Sequence, residues 1–137
     1  ARGTVVGITR GTKKEHFIRA ALEAIDYQVC DLVNAMQRDA DVRLTSINVD
    51  GGASANNFLM QFQADLLNAT VVRPKVTETT ALGACYLAGL TCGYWKSIDE
   101  IKSNVAVDRE FVPHMDEERR QKLLCGWAHA VRQARCK

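Results

Sequence analysis

Neither sign of charge dominates this sequence of 137 residues: 18 Lys and Arg stand against 16 Asp and Glu, a formal net charge of +2, and the basic residues are dispersed among acidic ones without forming a stripe. That balance does not favour a nucleic-acid partner. The five cysteines, at 30, 85, 92, 125 and 136, are odd in number and show neither CxxC spacing nor proximity to paired histidines, so neither zinc nor a disulfide framework is indicated. They suit a reducing cytoplasm, and those lying among apolar helical residues read as small buried hydrophobes. No apolar run approaches the roughly 18 residues a membrane helix needs, and the first residues lack the cationic-then-apolar order of a signal peptide. No membrane partner is expected. The chain opens at Ala1-Arg2-Gly3 without an initiator Met, which reads as a piece of something longer.

Catalytic machinery is equally scarce. There is no Walker-type GxxxxGK[ST], no assembly of Ser, His and Asp, and no carboxylate pair with credible spacing. His16, His114 and His129 stand alone and read as surface or half-buried side chains. No catalytic residue and no metal ligand is therefore assigned, and the chain is read as one that binds without performing chemistry itself.

What is present is the composition of an ordinary folded domain, 47% hydrophobic and 25% charged, with no repeat or linker dividing residues 1–137. Ile18, Leu22, Ile25, Val29, Leu32 and Met36 recur every three or four positions and predict a helix that ends near Asp39, its inner stripe formed by these residues. Thr12-Lys13-Lys14-Glu15 supplies a Thr-x-x-Glu capping box at its start. Arg43 to Val49 predicts a short buried strand stopped by Asp50-Gly51-Gly52. A second helix follows over Asn56 to Leu67, with Leu59, Met60, Phe62 and Leu66 inward, and Asn68-Ala69 releases the chain into a strand, Thr70 to Arg73, closed by Pro74. Strand, helix and strand in this order predict a βαβ unit with parallel strands, hence an α/β architecture. Thr80 to Cys92 predicts a helix poor in large side chains, Ser97-Ile98-Asp99-Glu100 opens a short turn with a second capping-box pattern, and Leu123, Trp127, Val131 and Ala134 mark a terminal amphipathic helix from about Asp116.

The sharpest local feature is Val49-Asp50-Gly51-Gly52-Ala53-Ser54-Ala55-Asn56-Asn57, a strand end that turns through two glycines into a helix. In open α/β sheets ligands bind at such places. Glycine lets a ligand approach the backbone, free N–H groups at a helix start favour an anionic or polar group, and the amide of Asn56 can both donate to and accept from a nucleobase or ribose. A plain tight turn, with Asp50 capping the helix, satisfies the same pattern. The thin helix is open to two readings as well: Ala81, Gly83, Ala84, Cys85, Ala88 and Gly89 serve either dense core packing or a contact that slides when domains close.

Three passages together carry a resemblance. Gly3-Thr4-Val5-Val6-Gly7-Ile8, followed after seven residues by His16-Phe17-Ile18-Arg19-Ala20-Ala21-Leu22-Glu23, resembles the second signature of the FGGY carbohydrate kinases. The stretch Val49 to Gln63 and the stretch Glu78-Thr79-Thr80-Ala81-Leu82-Gly83-Ala84 resemble the glycerol kinase branch of that family. The likeness runs from Ala1 to about Trp127 and weakens after Phe111.

The resemblance implies a fold related to actin, Hsp70 and hexokinase: two lobes around an ATP cleft, with this chain as the C-terminal part of the second, a partial ribonuclease H-like lobe. By position, the glycine and asparagine of the family's adenosine motif fall on Gly52 and Asn56, with Asp50 and Gly51 forming the turn beside them. Ala81 to Gly89 match the segment that connects the lobes. The family's catalytic aspartate, phosphate-gripping loops and most glycerol contacts have no counterparts here. For the complete enzyme the resemblance implies transfer of the γ-phosphoryl of Mg-ATP to glycerol, giving sn-glycerol 3-phosphate, with ATP and ADP, Mg2+ and glycerol as ligands, a cytoplasmic location and a homo-oligomeric parent. Alone, the chain is expected to be inactive. The alternatives are a pentulose or gluconate kinase of the same family, or a non-enzymatic actin-like nucleotide-binding module, which the sequence upstream of Ala1 would distinguish.

Overall fold

The computed structural model describes residues 3–135, so Cys136 lies outside the described residues. The elements follow in the order α1 (Lys14–Ala40), β1 (Ser46–Asn48), a 3-10 turn (Gly52–Ala55), α2 (Asn57–Leu67), β2 (Thr70–Pro74), α3 (Thr79–Thr91), α4 (Ile98–Ser103), β3 (Val107–Phe111) and α5 (Glu117–Arg135). The sheet has the order β1-β2-β3. β1 and β2 are parallel, with Ile47 opposite Val71, so the βαβ unit forms as the sequence predicts. β3, unexpected from the sequence, adds antiparallel to β2 with Phe111 opposite Val71.

α2 is the keel of the molecule. Asn56 caps it by accepting hydrogen bonds from the N–H groups of Phe58 and Leu59 at 3.0 and 3.3 Å, and Asn68 ends it in the left-handed region, φ +50°. Between the caps Leu59, Met60, Phe62 and Leu66 are buried, each contributing about 1.5–3 kcal/mol through the surface it removes from water. One side of α2 packs on the sheet, where Leu59, Met60 and Ala64 meet Val71 and Phe111. The other side meets α1 and α5, where Phe62 and Leu66 join Tyr27, Cys30 and Trp127. There the Tyr27 ring stacks on Trp127 at 5.2 Å and meets the edge of Phe62 at 5.6 Å, and the Trp127 indole N–H donates to Asp31 at 2.7 Å. Asp116 begins α5 by accepting from the Arg119 N–H at 2.8 Å.

Several expectations are corrected. The cap of α1 is not the Thr12–Glu15 box: the Thr12 hydroxyl accepts from the Thr9 N–H, and the Lys13 N–H donates instead to Nδ1 of His16 at 3.0 Å. The helix turns a different face inward, burying Asp26, Tyr27, Cys30 and Val33 while Ile18, Ile25, Leu32 and Met36 stay exposed. β1 is not buried: it is a three-residue strand at the edge of the sheet, with Ser46 and Asn48 exposed and Ile47 half-buried. α3 buries no residue at all, so no stripe of it is sealed on the sheet. Of the described cysteines only Cys30 is buried, and Cys85, Cys92 and Cys125 are exposed. The Ser97 box at α4 forms only in half: the Ser97 hydroxyl accepts from the Glu100 N–H, but the Glu100 carboxylate accepts from the Lys96 N–H and not from that of the cap residue Ser97.

Candidate functional site

The turn between β1 and α2 is built by two glycines with different tasks. Gly51 sits at φ +76° and donates its N–H to the Thr77 carbonyl at 2.8 Å, which ties the turn to the segment leading into α3. Only glycine adopts this conformation without strain. Gly52 lies outside the left-handed region, and a Cβ added to it would meet no atom within 4 Å. The fold of this chain therefore does not require glycine at 52, and the space in front of it is open. Substituting alanine separates the two tasks: Gly51→Ala is expected to lower stability by about 1–2 kcal/mol, and Gly52→Ala to change it by less than about 0.5 kcal/mol. Paired denaturant melts check this, and equal losses would refute the assignment.

Asp50 does not cap the following helix. Its Oδ2 accepts a hydrogen bond from the Thr79 hydroxyl, so its carboxylate is bound to the first residue of α3. Ser54 is buried and folds the 3-10 turn onto itself, donating both its N–H and its hydroxyl to the Gly51 carbonyl at 3.1 and 2.7 Å. Asn56 stands as the cap of α2 and not one turn into a helix. With Oδ1 committed to two backbone N–H groups, what it offers outward is the pair of donors on Nδ2, which have no partner among the described residues.

The structure thus brings Asp50, Gly51, Gly52 and Asn56 together in one turn, and adds residues that local spacing could not reveal. Arg73, at the end of β2, reaches across under the turn to the Ser54 carbonyl and the Asn57 side chain. Its neighbours are distant in sequence, so no local pattern announces it. Behind the sheet, a cavity of about 670 Å³ opens between β1, β2 and α3, lined in part by Asn48, Asp50, Val72, Leu82, Gly83 and Tyr86. Gly52 and Asn56 do not line it. Among the described residues no group of His, Cys, Asp and Glu is arranged to hold a metal ion, and no helix is long and apolar enough to cross a membrane.

Residues 1–92 match the C-terminal domain of the FGGY family of carbohydrate kinases. The chain belongs to that family. Among curated FGGY relatives, it is 60% identical over 135 residues to glycerol kinase 2 of Pseudomonas aeruginosa, covering 98% of this chain and 27% of that protein. It superimposes on the crystal structure of Plasmodium falciparum glycerol kinase with ADP with a TM-score of 0.90 and 34% identity, covering 100% of this chain and 28% of that one. Gluconate kinase from Lactobacillus acidophilus follows with a TM-score of 0.75 and 27% identity over 96% of this chain. The chain spans about a quarter of the length of the curated relatives it matches. Its mixed sheet and helices have the fold of the C-terminal lobe of FGGY kinases.

Proposed function

We propose that this chain is the C-terminal part of the second lobe of a glycerol kinase, a cytoplasmic and homo-oligomeric enzyme that transfers the γ-phosphoryl of Mg-ATP to glycerol and yields sn-glycerol 3-phosphate. The observation that carries the proposal is the likeness, over the whole chain, to a glycerol kinase with ADP. Within such an enzyme residues 1–137 form one unit, and the turn Asp50–Asn56 is its contribution to the nucleotide site. Gly52 leaves room for the adenosine, a use of glycine that the fold of the chain alone does not demand. The Nδ2 donors of Asn56 face a ring nitrogen or ribose oxygen, and Asp50 and Gly51 anchor the turn to α3 through Thr79 and Thr77.

Mg2+ would accompany ATP, but the described residues of this chain do not present a ligand set for it. α3 is the segment between the lobes. Ala81, Ala84 and Ala88 are all exposed on it, while the smallness of Gly89 has a reason inside the chain, since a Cβ there would lie 2.5 Å from the Trp95 ring.

Expressed from its complete reading frame, the protein is expected to phosphorylate glycerol with Mg-ATP, while the 137-residue chain alone shows no turnover. Activity on gluconate or a pentulose with none on glycerol would transfer the proposal to another branch of the family. A sharper test is Asn56→Asp, which keeps an acceptor for the α2 cap but removes the outward donors. Nucleotide affinity, measured by calorimetry on the complete enzyme, is expected to fall about 2- to 12-fold with thermal stability unchanged. Undiminished affinity would remove Asn56 from the site.

A further inference from the structure

Arg73 is held by more partners than any other side chain near the turn. Its Nε and Nη2 both lie 2.8 Å from Asp108 Oδ2 on β3. Nη1 donates to the Ser54 carbonyl at 2.7 Å and to Asn57 Oδ1 at 3.0 Å. The guanidinium lies 5.3 Å over the Phe111 ring, and the side chain is only 11% exposed. Asp108 is half-exposed, so the ion pair taken by itself adds little. The shape of the contact matters more: the rigid fork of an arginine serves acceptors in several directions at once, which the single point of a lysine ammonium cannot do.

Those acceptors bracket the turn. Ser54 belongs to the 3-10 segment that starts at Gly52, and Asn57 is the first residue of α2, directly after Asn56. Asp108 and Phe111, on the far side of the guanidinium, are fixed in the sheet. We infer that Arg73 is the positioning residue of the nucleotide site, setting where Gly52 and Asn56 stand relative to the sheet without touching the nucleotide. This inference rests on the glycerol kinase reading above.

The test is steady-state kinetics on the complete kinase. Arg73→Met keeps an apolar stem over Phe111 and removes the fork. It is expected to raise the KM for ATP about 5- to 10-fold, with kcat and the KM for glycerol within about twofold of wild type. Arg73→Lys should keep most of that defect. If Arg73→Met does not fold, Asp108→Asn and Asn57→Ala each loosen one contact and should raise the KM for ATP about twofold. A lowered melting temperature with an unchanged KM for ATP in the folded variants would make Arg73 structural only and overturn the inference. Gly52→Val, assayed beside them, intrudes directly on the space proposed for the nucleotide. If Gly52→Val raises the KM for ATP and the Arg73 variants do not, only the positioning role fails; if Gly52→Val is also silent, the nucleotide site itself is misplaced.

Discussion

Asp26→Asn is expected to stabilise the chain at pH 8 by about 2–4 kcal/mol, a gain that vanishes on acidification below about pH 4. Asp26 is 0% exposed in the face of α1 that packs inward, and neither carboxylate oxygen has a hydrogen-bond partner. Burial pushes its pKa up, with the charge of Glu23 one turn away adding to the effect, to about 7. The folded chain therefore holds a proton on Asp26 that the unfolded chain releases near pH 4. Between about pH 4 and pH 7 the native state binds more protons than the unfolded state, so stability falls as pH rises, by at most about 1.4 kcal/mol per pH unit. Asparagine imitates the protonated carboxyl in size and carries no charge, so the variant should lack this slope. Denaturant melts of both proteins at pH 4, 6 and 8 read it out. Curves that run parallel across the range would mean that Asp26 gains solvent or a partner.

Asp26 also explains why the buried face of α1 was not legible. The strongest periodic signal in residues 17–36 comes from Ile18, Leu22, Ile25, Val29, Leu32 and Met36, and hydrophobic periodicity selects the most apolar stripe. In the folded chain Ile18, Ile25, Leu32 and Met36 of that stripe are exposed and Leu22 and Val29 only half-buried, and the buried face is the chemically mixed set of Asp26, Tyr27, Cys30 and Val33. α2 was legible for the opposite reason. Its apolar stripe and its Asn68 stop point to one helix, and packing on both sides honours them, while its cap proves to be Asn56 and not Asp50. The turn was legible as a place, because two glycines after a strand have few structural uses. Its internal division of labour was not. Gly51 bends the chain, Gly52 leaves space, and Asn56 spends its oxygen on the backbone, distinctions that appear only once φ angles and hydrogen-bond directions are known. Arg73 was invisible because its contacts at 54, 57, 108 and 111 are brought together only by the sheet.

Phe111→Ala should be the most damaging single truncation, costing about 3–5 kcal/mol. The strand that carries Phe111 has almost no hydrophobic pattern: in Val107-Asp108-Arg109-Glu110-Phe111 only the last residue is buried, at 2% exposure, which is why β3 escapes a reading of alternation. That concentration makes the strand depend on one ring. Phe111 fills the space opposite Val71 and beside Leu59 and Met60, and the guanidinium groups of Arg73 and Arg109 lie over it at 5.3 and 4.9 Å. Truncation removes the buried surface, leaves a cavity and withdraws the platform under Arg73, whereas Phe111→Leu keeps most of the volume and should cost less than about 1.5 kcal/mol. Val107→Ala, on the exposed end of the same strand, should cost less than about 0.5 kcal/mol. Denaturant melts rank the three variants, and hydrogen exchange at residues 107–111 reports whether β3 detaches ahead of the rest. If Phe111→Ala proves no worse than Val107→Ala, then β3 is not anchored by its ring, and the fixed base from which Arg73 reaches the turn is lost with it.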